Sequence, residues 1–265
     1  MRPSVQKFMT IAAAGMVAIA LVLCGYFAAT SLTPATVSAS TASEWNLNGR
    51  TVIDLSHIQD QTIPADPALK KPTLEFFAHV GQGEGAYWNL ETVSYCPHTG
   101  THMDSPFHVN SDWGAMETVD STVLIGPAIV LNVEASASHS ITVADIKAAE
   151  SKSGPIQAGD GVLVHTGHDA NWPNKAAYID NGYPIFTKEA AEYIVSKRPR
   201  YIGMETISPD GPNTIAHKAF LGGGVIIVEN LTNIDKIGQS RCTTIGTFPN
   251  IKGATGVYMR LLAVR

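Results

Sequence analysis

Apolar residues gather first in one long run and then in short, strand-length runs separated by polar and proline-rich stretches. The long run extends from Phe8 to Ala29 without a charge and follows Arg2 and Lys7. A basic start, an apolar stretch and the small residues Val37-Ser38-Ala39 as a cleavage site fit a secretory signal peptide. At about 22 residues the run is also long enough to cross a bilayer as an uncleaved anchor. Either reading makes the remainder an exported protein, periplasmic or extracellular, that touches a membrane only through an uncleaved leader. Residues 1–39 are therefore set aside from fold reasoning.

Residues 40–50 are polar and predict a tether leading into one domain over 51–265. The β-branched Thr51-Val-Ile-Asp-Leu55 opens that domain as a strand, and Pro64, Pro67 and Pro72 make the segment from Gln59 to Lys71 an extended loop. Strands are also predicted at Leu90–Tyr95, Ser121–Ile125, Ala128–Val133, Gly161–His165, Tyr201–Glu205, Val225–Glu229 and Val257–Val264. Two helices carry their own boundary signals. Thr142 caps one that Gly154-Pro155 stops, and Thr187 caps another that Pro199 closes. Strands outnumber helices and alternate with them only in part, which predicts a mixed α/β domain rather than a doubly wound parallel sheet.

Charge narrows the function classes. Without residues 1–39, 16 of the 18 basic residues face all 23 acids, so the chain lacks the basic surface that nucleic-acid binding needs. Cys96 and Cys242 remain after the leader; an oxidising compartment permits a bridge between them, and two free thiols are equally compatible with the sequence.

The most informative local feature is His98-Thr-Gly-Thr-His102-Met-Asp104-Ser-Pro-Phe-His108. Its three histidines and aspartate all have even numbers, so an extended backbone projects them to one face. A straight strand would set His98 and His108 roughly 33 Å apart. The segment must bend, and Gly100 and Pro106 are the positions that allow it. Imidazole and carboxylate donors without a thiolate suit zinc, manganese or iron in an open site, rather than a closed structural zinc site, and zinc or manganese is the expected ion.

This string resembles the HxGTHxDxPxH signature of the cyclase family, which contains bacterial kynurenine formamidase and isatin hydrolase, with every fixed position matched. Asp54-Leu-Ser-His57, Thr166-Gly167, Ser208-Pro-Asp210 and the stretch from His217 to Leu231 are similar to further family motifs, so the resemblance spans most of the chain after the leader. It implies the swivelling β/β/α architecture, a homo-oligomer with sites near subunit contacts, and one or two divalent ions. His98, His102 and Asp104 would hold one ion, Asp104 and Glu229 would bridge, and His217 would bind a second. His108 would be the general acid/base.

The implied activity is hydrolysis of an amide, formamide or cyclic amide of a small molecule by metal-activated water. A cyclase or lyase acting by proton abstraction, and an exported metal-binding protein without turnover, are the alternatives. Asp66 stands near the place of a substrate-contacting tryptophan in kynurenine formamidase, and Glu205 stands where that branch has an aspartate. Both the acid at 66 and the export signal count against N-formylkynurenine as substrate. His57, His165 and His168 are secondary pocket candidates, and Tyr87, Trp88, Trp113 and Trp172 are candidates for an aromatic wall.

Overall fold

The computed structural model describes residues 44–47, 49–83, 87–133 and 139–265. The leader expected over 1–39 lies outside them. Chain order gives β1 (Glu44–Leu47), β2 (Arg50–Asp54), β3 (Thr73–Ala78), β4 (Leu90–Ser94), β5 (His102–Asp104), β6 (Gly126–Asn132) and β7 (Ser140–Ile141). There follow α1 (Val143–Ser153), β8 (Gly161–His165), β9 (Ile185–Phe186), α2 (Lys188–Ser196), β10 (Tyr201–Met204), α3 (Ile215–Gly222) and β11 (Ile226–Glu229). The chain ends with β12 (Arg241–Thr247), β13 (Gly256–Tyr258) and β14 (Arg260–Val264). None of these helices is long and apolar enough to cross a membrane.

Ten strands form one mixed sheet in the order β1-β2-β14-β12-β6-β8-β10-β11-β5-β13. Its parallel centre, β6, β8, β10 and β11, is buried on both faces, which is why these strands read as continuous apolar runs. Ile129, Leu131, Val162, Val164, Ile202, Met204 and Ile227 pack toward the three helices. The alternate residues Val130, Leu163, Tyr201 and Val228 pack with Met103, Leu261 and Ala263 on the other face. The mixed α/β class predicted above is the class observed.

Several local expectations are corrected. Glu44–Leu47, inside the stretch expected as a tether, pairs antiparallel with β2. Residues Ser121–Ile125 are turns rather than a strand: the Asp120 carboxylate accepts from both the amide and the hydroxyl of Thr122, and Ile125 N donates to Thr122 O. The terminal apolar run is two strands that part at Met259, β13 pairing with β5 and β14 with β12 and β2. Cys96 and Cys242 are free thiols.

Candidate metal centre

Strand register assembles the floor of the site. β5 lies between β11 and β13, with His102 opposite Glu229 and Asp104 opposite Gly256. His102 and Asp104, two residues apart, share a face of the strand. Just upstream, Gly100 turns the chain at φ +62°, in the left-handed region that suits glycine. His98 thereby folds back over the strand. A Cβ at position 256 would lie 2.8 Å from the His98 ring and 2.9 Å from the Met103 carbonyl, so the glycine there lets β13 pass close beneath it.

The side chains converge. His98 Nδ1 lies 2.9 Å from Asp104 Oδ1. His102 Nε2 is 3.3 Å from Asp104 Oδ1 and 3.3 Å from Glu229 Oε2. From α3, His217 Nε2 lies 3.7 Å from Asp104 Oδ2 and 3.4 Å from Glu229 Oε1. The bend expected at Gly100 and the five residues expected as ligands are thus brought together in one place.

Their hydrogen bonding tests whether a cation fits. His102 Nε2, both oxygens of Asp104 and Glu229 Oε1 are buried and lack a partner in hydrogen-bond geometry, although they stand within ionic reach of one another. Buried polar atoms are rarely left this way, and each costs about 1–3 kcal/mol or more when charged. The groups His102, Asp104, Glu229 and His98, Asp104, His108 each place three ligand atoms within 4.8 Å of one another. A divalent cation satisfies this donor set.

The acids that would hold the cation also favour protons on the neighbouring imidazoles. Burial works against charge on His102, but Asp104 and Glu229 override it and raise its pKa to about 9. Burial opposes charge on His217 too, and Asp104, Asp210 and Glu229 lift it to about 12. Against its own burial, Asp104 is held well below the usual carboxylate range, chiefly by His102. Burial, then the Asp104 charge, pushes Glu229 up. Both imidazoles therefore hold protons at pH 7, and ligation requires the neutral ring. Metal uptake at pH 7 releases roughly one to two protons per ion, and affinity rises with pH. Calorimetric titration with zinc or manganese in buffers of different ionisation enthalpy measures this; a buffer-independent heat would show the rings already neutral.

The family model described as "Putative cyclase" matches residues 53–211. The chain belongs to this cyclase family. It is similar to isatin hydrolase of Roseibium aggregatum, 28% identical over 225 residues, covering 76% of this chain and 85% of that protein. Kynurenine formamidase of Bacillus cytotoxicus is 28% identical over 146 residues, 54% of this chain and 65% of that one. Among solved structures, an isatin hydrolase bound to the product analogue thioisatinate matches with TM-score 0.74 and 25% identity, covering 82% of this chain and 92% of the other.

Outer groups of this cyclase-family site orient the inner ones. His98 Nε2 meets Thr255 Oγ1 at 2.8 Å, and His102 Nδ1 meets the Gly100 carbonyl at 2.8 Å, leaving Nε2 toward the acids. Asn230 Nδ2 donates to the same carbonyl and Tyr178 Oη donates to Asn230 Oδ1, so the turn at Gly100 is pinned from behind. Asp210 carries more. It accepts from the amides of Ala216 and His217 and from His217 Nδ1, starting α3 and fixing the ring in one stroke. Carboxylate–imidazole pairs of this kind raise metal affinity. Asp210→Asn is expected to weaken ion binding about 10–100-fold while the fold persists, read by competition with a chromophoric chelator; unchanged affinity would reduce Asp210 to a helix cap.

His108 is placed differently from the other histidines. It makes no ion pair among the described residues, stacks on His98 at 3.9 Å and lies 5.4 Å from the His217 ring. Burial lowers its pKa to about 4, so it is neutral at pH 7.

The secondary candidates lie elsewhere. His57 stacks on Trp172 at 3.7 Å and lines a separate cavity with Thr232 and Asn233. His165 pairs with the buried Glu205 at 2.6 Å, and His168 binds the Tyr178 carbonyl. Tyr87 and Trp88 are exposed, and Trp113 packs against the helix core. The metal-side cavity, about 440 Å³, takes its walls from Leu69, Ile179, Tyr183 and Ile207 instead, with Asp66 on its lining. No spacing in the sequence pointed to Ile179 or Tyr183, because a π-helical turn at Ala176–Asp180 and the following loop carry them to the site.

Proposed function

We propose that the protein is a metal-dependent hydrolase of a small amide, formamide or cyclic amide, and that His98, His102, Asp104, His217 and Glu229 hold its ion or ions. The observation that carries this reading is the set of buried, partnerless imidazole and carboxylate atoms facing one another on β5 and β11. The names of the similar proteins, isatin hydrolase and kynurenine formamidase, support the bond type. When bound, a divalent ion polarises a carbonyl and acidifies water, which lets hydrolysis run near neutral pH.

The protein's own groups supply the rest. His108, neutral and beside His98, accepts a proton from the attacking water and returns it to the departing nitrogen. The amide C–N bond breaks, giving a carboxylic acid and an amine as two products or, from a cyclic amide, as the two ends of one ring-opened product, and the imidazole ends as it began. The apolar wall of Leu69, Ile179, Tyr183 and Ile207 holds the substrate body and keeps water from it. The almost uninterrupted, uncharged apolar run from Phe8 to Ala29 supports an exported enzyme. Leu74, Phe76, Phe77 and Val93, exposed on the β3–β4 hairpin, support its assembly with further copies.

Elemental analysis of protein purified without added metal, followed by assays on N-formylkynurenine, isatin and simple lactones with and without chelator, tests the reading. Bound divalent ion and chelator-sensitive C–N hydrolysis are expected. Bound ion without any hydrolysis across the panel would turn the reading toward proton abstraction or plain metal binding.

A further inference from the structure

The cavity above the metal residues has an uneven charge. Its deep end is made by His98, His108, His217 and Glu229, and its walls by Leu69, Ile179 and Ile207. Tyr183 adds to the apolar wall, because its hydroxyl is committed to the Asp210 carbonyl at 2.9 Å. Among the described residues, the one charged group that lines the cavity away from the metal residues is Asp66, which is exposed at the mouth. Among the described residues no lysine or arginine lines it. The nearest basic residue in sequence, Lys70, is turned to Ser94, its Nζ donating to the hydroxyl at 2.9 Å.

Asp66 is also held in place. Its Oδ1 accepts the Ala68 amide at 2.8 Å, and its backbone carbonyl accepts the Leu69 amide at 2.9 Å. This local turn fixes the carboxylate at the rim, and the proline on either side, Pro64 and Pro67, stiffens the loop that carries it. Among the described residues the carboxylate has no ion-pair partner, so its charge is available to a ligand.

We propose that Asp66 determines the charge of the substrate: the site takes amides with a compact apolar or aromatic body whose end remote from the scissile bond carries a cationic group. The inference rests on the hydrolase reading above and deepens it. Two features of the cavity carry it. A substrate with a distal carboxylate would meet Asp66 with no lysine or arginine to offset the repulsion, whereas a distal ammonium gains a fixed counter-ion. The apolar walls between the two ends select a body that needs no hydrogen bonds along its length.

Three matched ligands test it: formanilides bearing para-aminomethyl, para-ethyl or para-carboxymethyl groups, which differ in distal charge and little in size. Dissociation constants are measured by calorimetry on the full-length, metal-loaded protein and on its D66N and D66K variants, with turnover followed separately. In the unaltered protein the aminomethyl ligand is expected to bind roughly two- to fivefold more tightly than the ethyl ligand, the range for a solvent-exposed ion pair. The carboxymethyl ligand should bind weakest, and both differences should shrink as salt is raised. D66N, whose side-chain oxygen keeps the Ala68 hydrogen bond, should bring the three constants together, and D66K should invert their order. An order independent of the residue at 66 would overturn the inference even if all three are hydrolysed. Charge-ordered binding without chelator-sensitive turnover would leave Asp66 its role and defeat the hydrolase reading instead.

Discussion

Asp104→Ala yields a folded protein that neither retains a divalent ion nor hydrolyses any amide. Asp104 is the one acid within reach of three of the imidazoles: His98 at 2.9 Å, His102 at 3.3 Å and His217 at 3.7 Å. Removing one member of a buried charge cluster costs about 3–5 kcal/mol, and a loss of that size in ion binding is a factor of roughly 10² to 4 × 10³ in affinity. The metal-free protein should suffer less. Without the Asp104 charge the pKa values of His102 and His217 fall, while Glu229 beside both rings and Asp210 beside His217 keep them paired. The diagnostic measurement is therefore the rise in melting temperature on adding zinc or manganese. A ligand at one hundred times its dissociation constant stabilises by about 2.7 kcal/mol, and that rise should vanish in the variant. If the variant melts far below the metal-free parent and yet still gains stability from the ion, Asp104 is a structural acid and the centre lies elsewhere.

Much of the inner site was legible because its residues are close in sequence or sit on an apolar strand. The even spacing of His98, His102, Asp104 and His108, interrupted by Gly100, is a local pattern, and β5 with its Gly100 turn realises it directly. Glu229 ends a buried strand whose apolar run identifies it. The helix carrying His217 was not predicted, for a physical reason: its first amides are capped by Asp210 from upstream, while Thr214 supplies no side-chain cap. The spacing of His217 from Glu229 suggested a ligand pair, but not the element that holds it. β12 was missed because its inward face consists of Cys242, Thr244 and Gly246 and its outward face includes Ile245, so the burial pattern opposes the usual hydropathy signal. The cavity walls were harder still. Tyr183 and Leu69 reach the site from loops separated by more than a hundred residues of chain, and no period in the sequence relates them.

His108→Ala should retain its full complement of metal and lose turnover by roughly 10²–10⁴-fold, the usual contribution of a positioned acid/base. Two observations separate His108 from the other histidines of the cluster. It contacts its neighbours through ring stacking with His98 rather than through an ion pair with either carboxylate. Burial lowers its pKa to about 4, while His102 and His217 are raised by the acids they face. A neutral ring beside the ligands is available to take a proton at pH 7, and it becomes charged, and useless as an acceptor, only as the pH falls through that low value. The opposing possibility is specific: His98, Asp104 and His108 could together hold an ion, since their ligand atoms lie within 4.8 Å of one another. Metal content decides between the two, because a ligand's loss empties the site and a base's loss does not. Added imidazole gives a second, independent readout. The space vacated by the ring lies against His98, and free imidazole that enters it should restore part of kcat in the alanine variant, with a pH dependence set by its own pKa rather than by that of His108. Rescue with metal content unchanged establishes proton transfer; metal loss without rescue makes His108 a ligand and leaves the proton to some other group of the cavity.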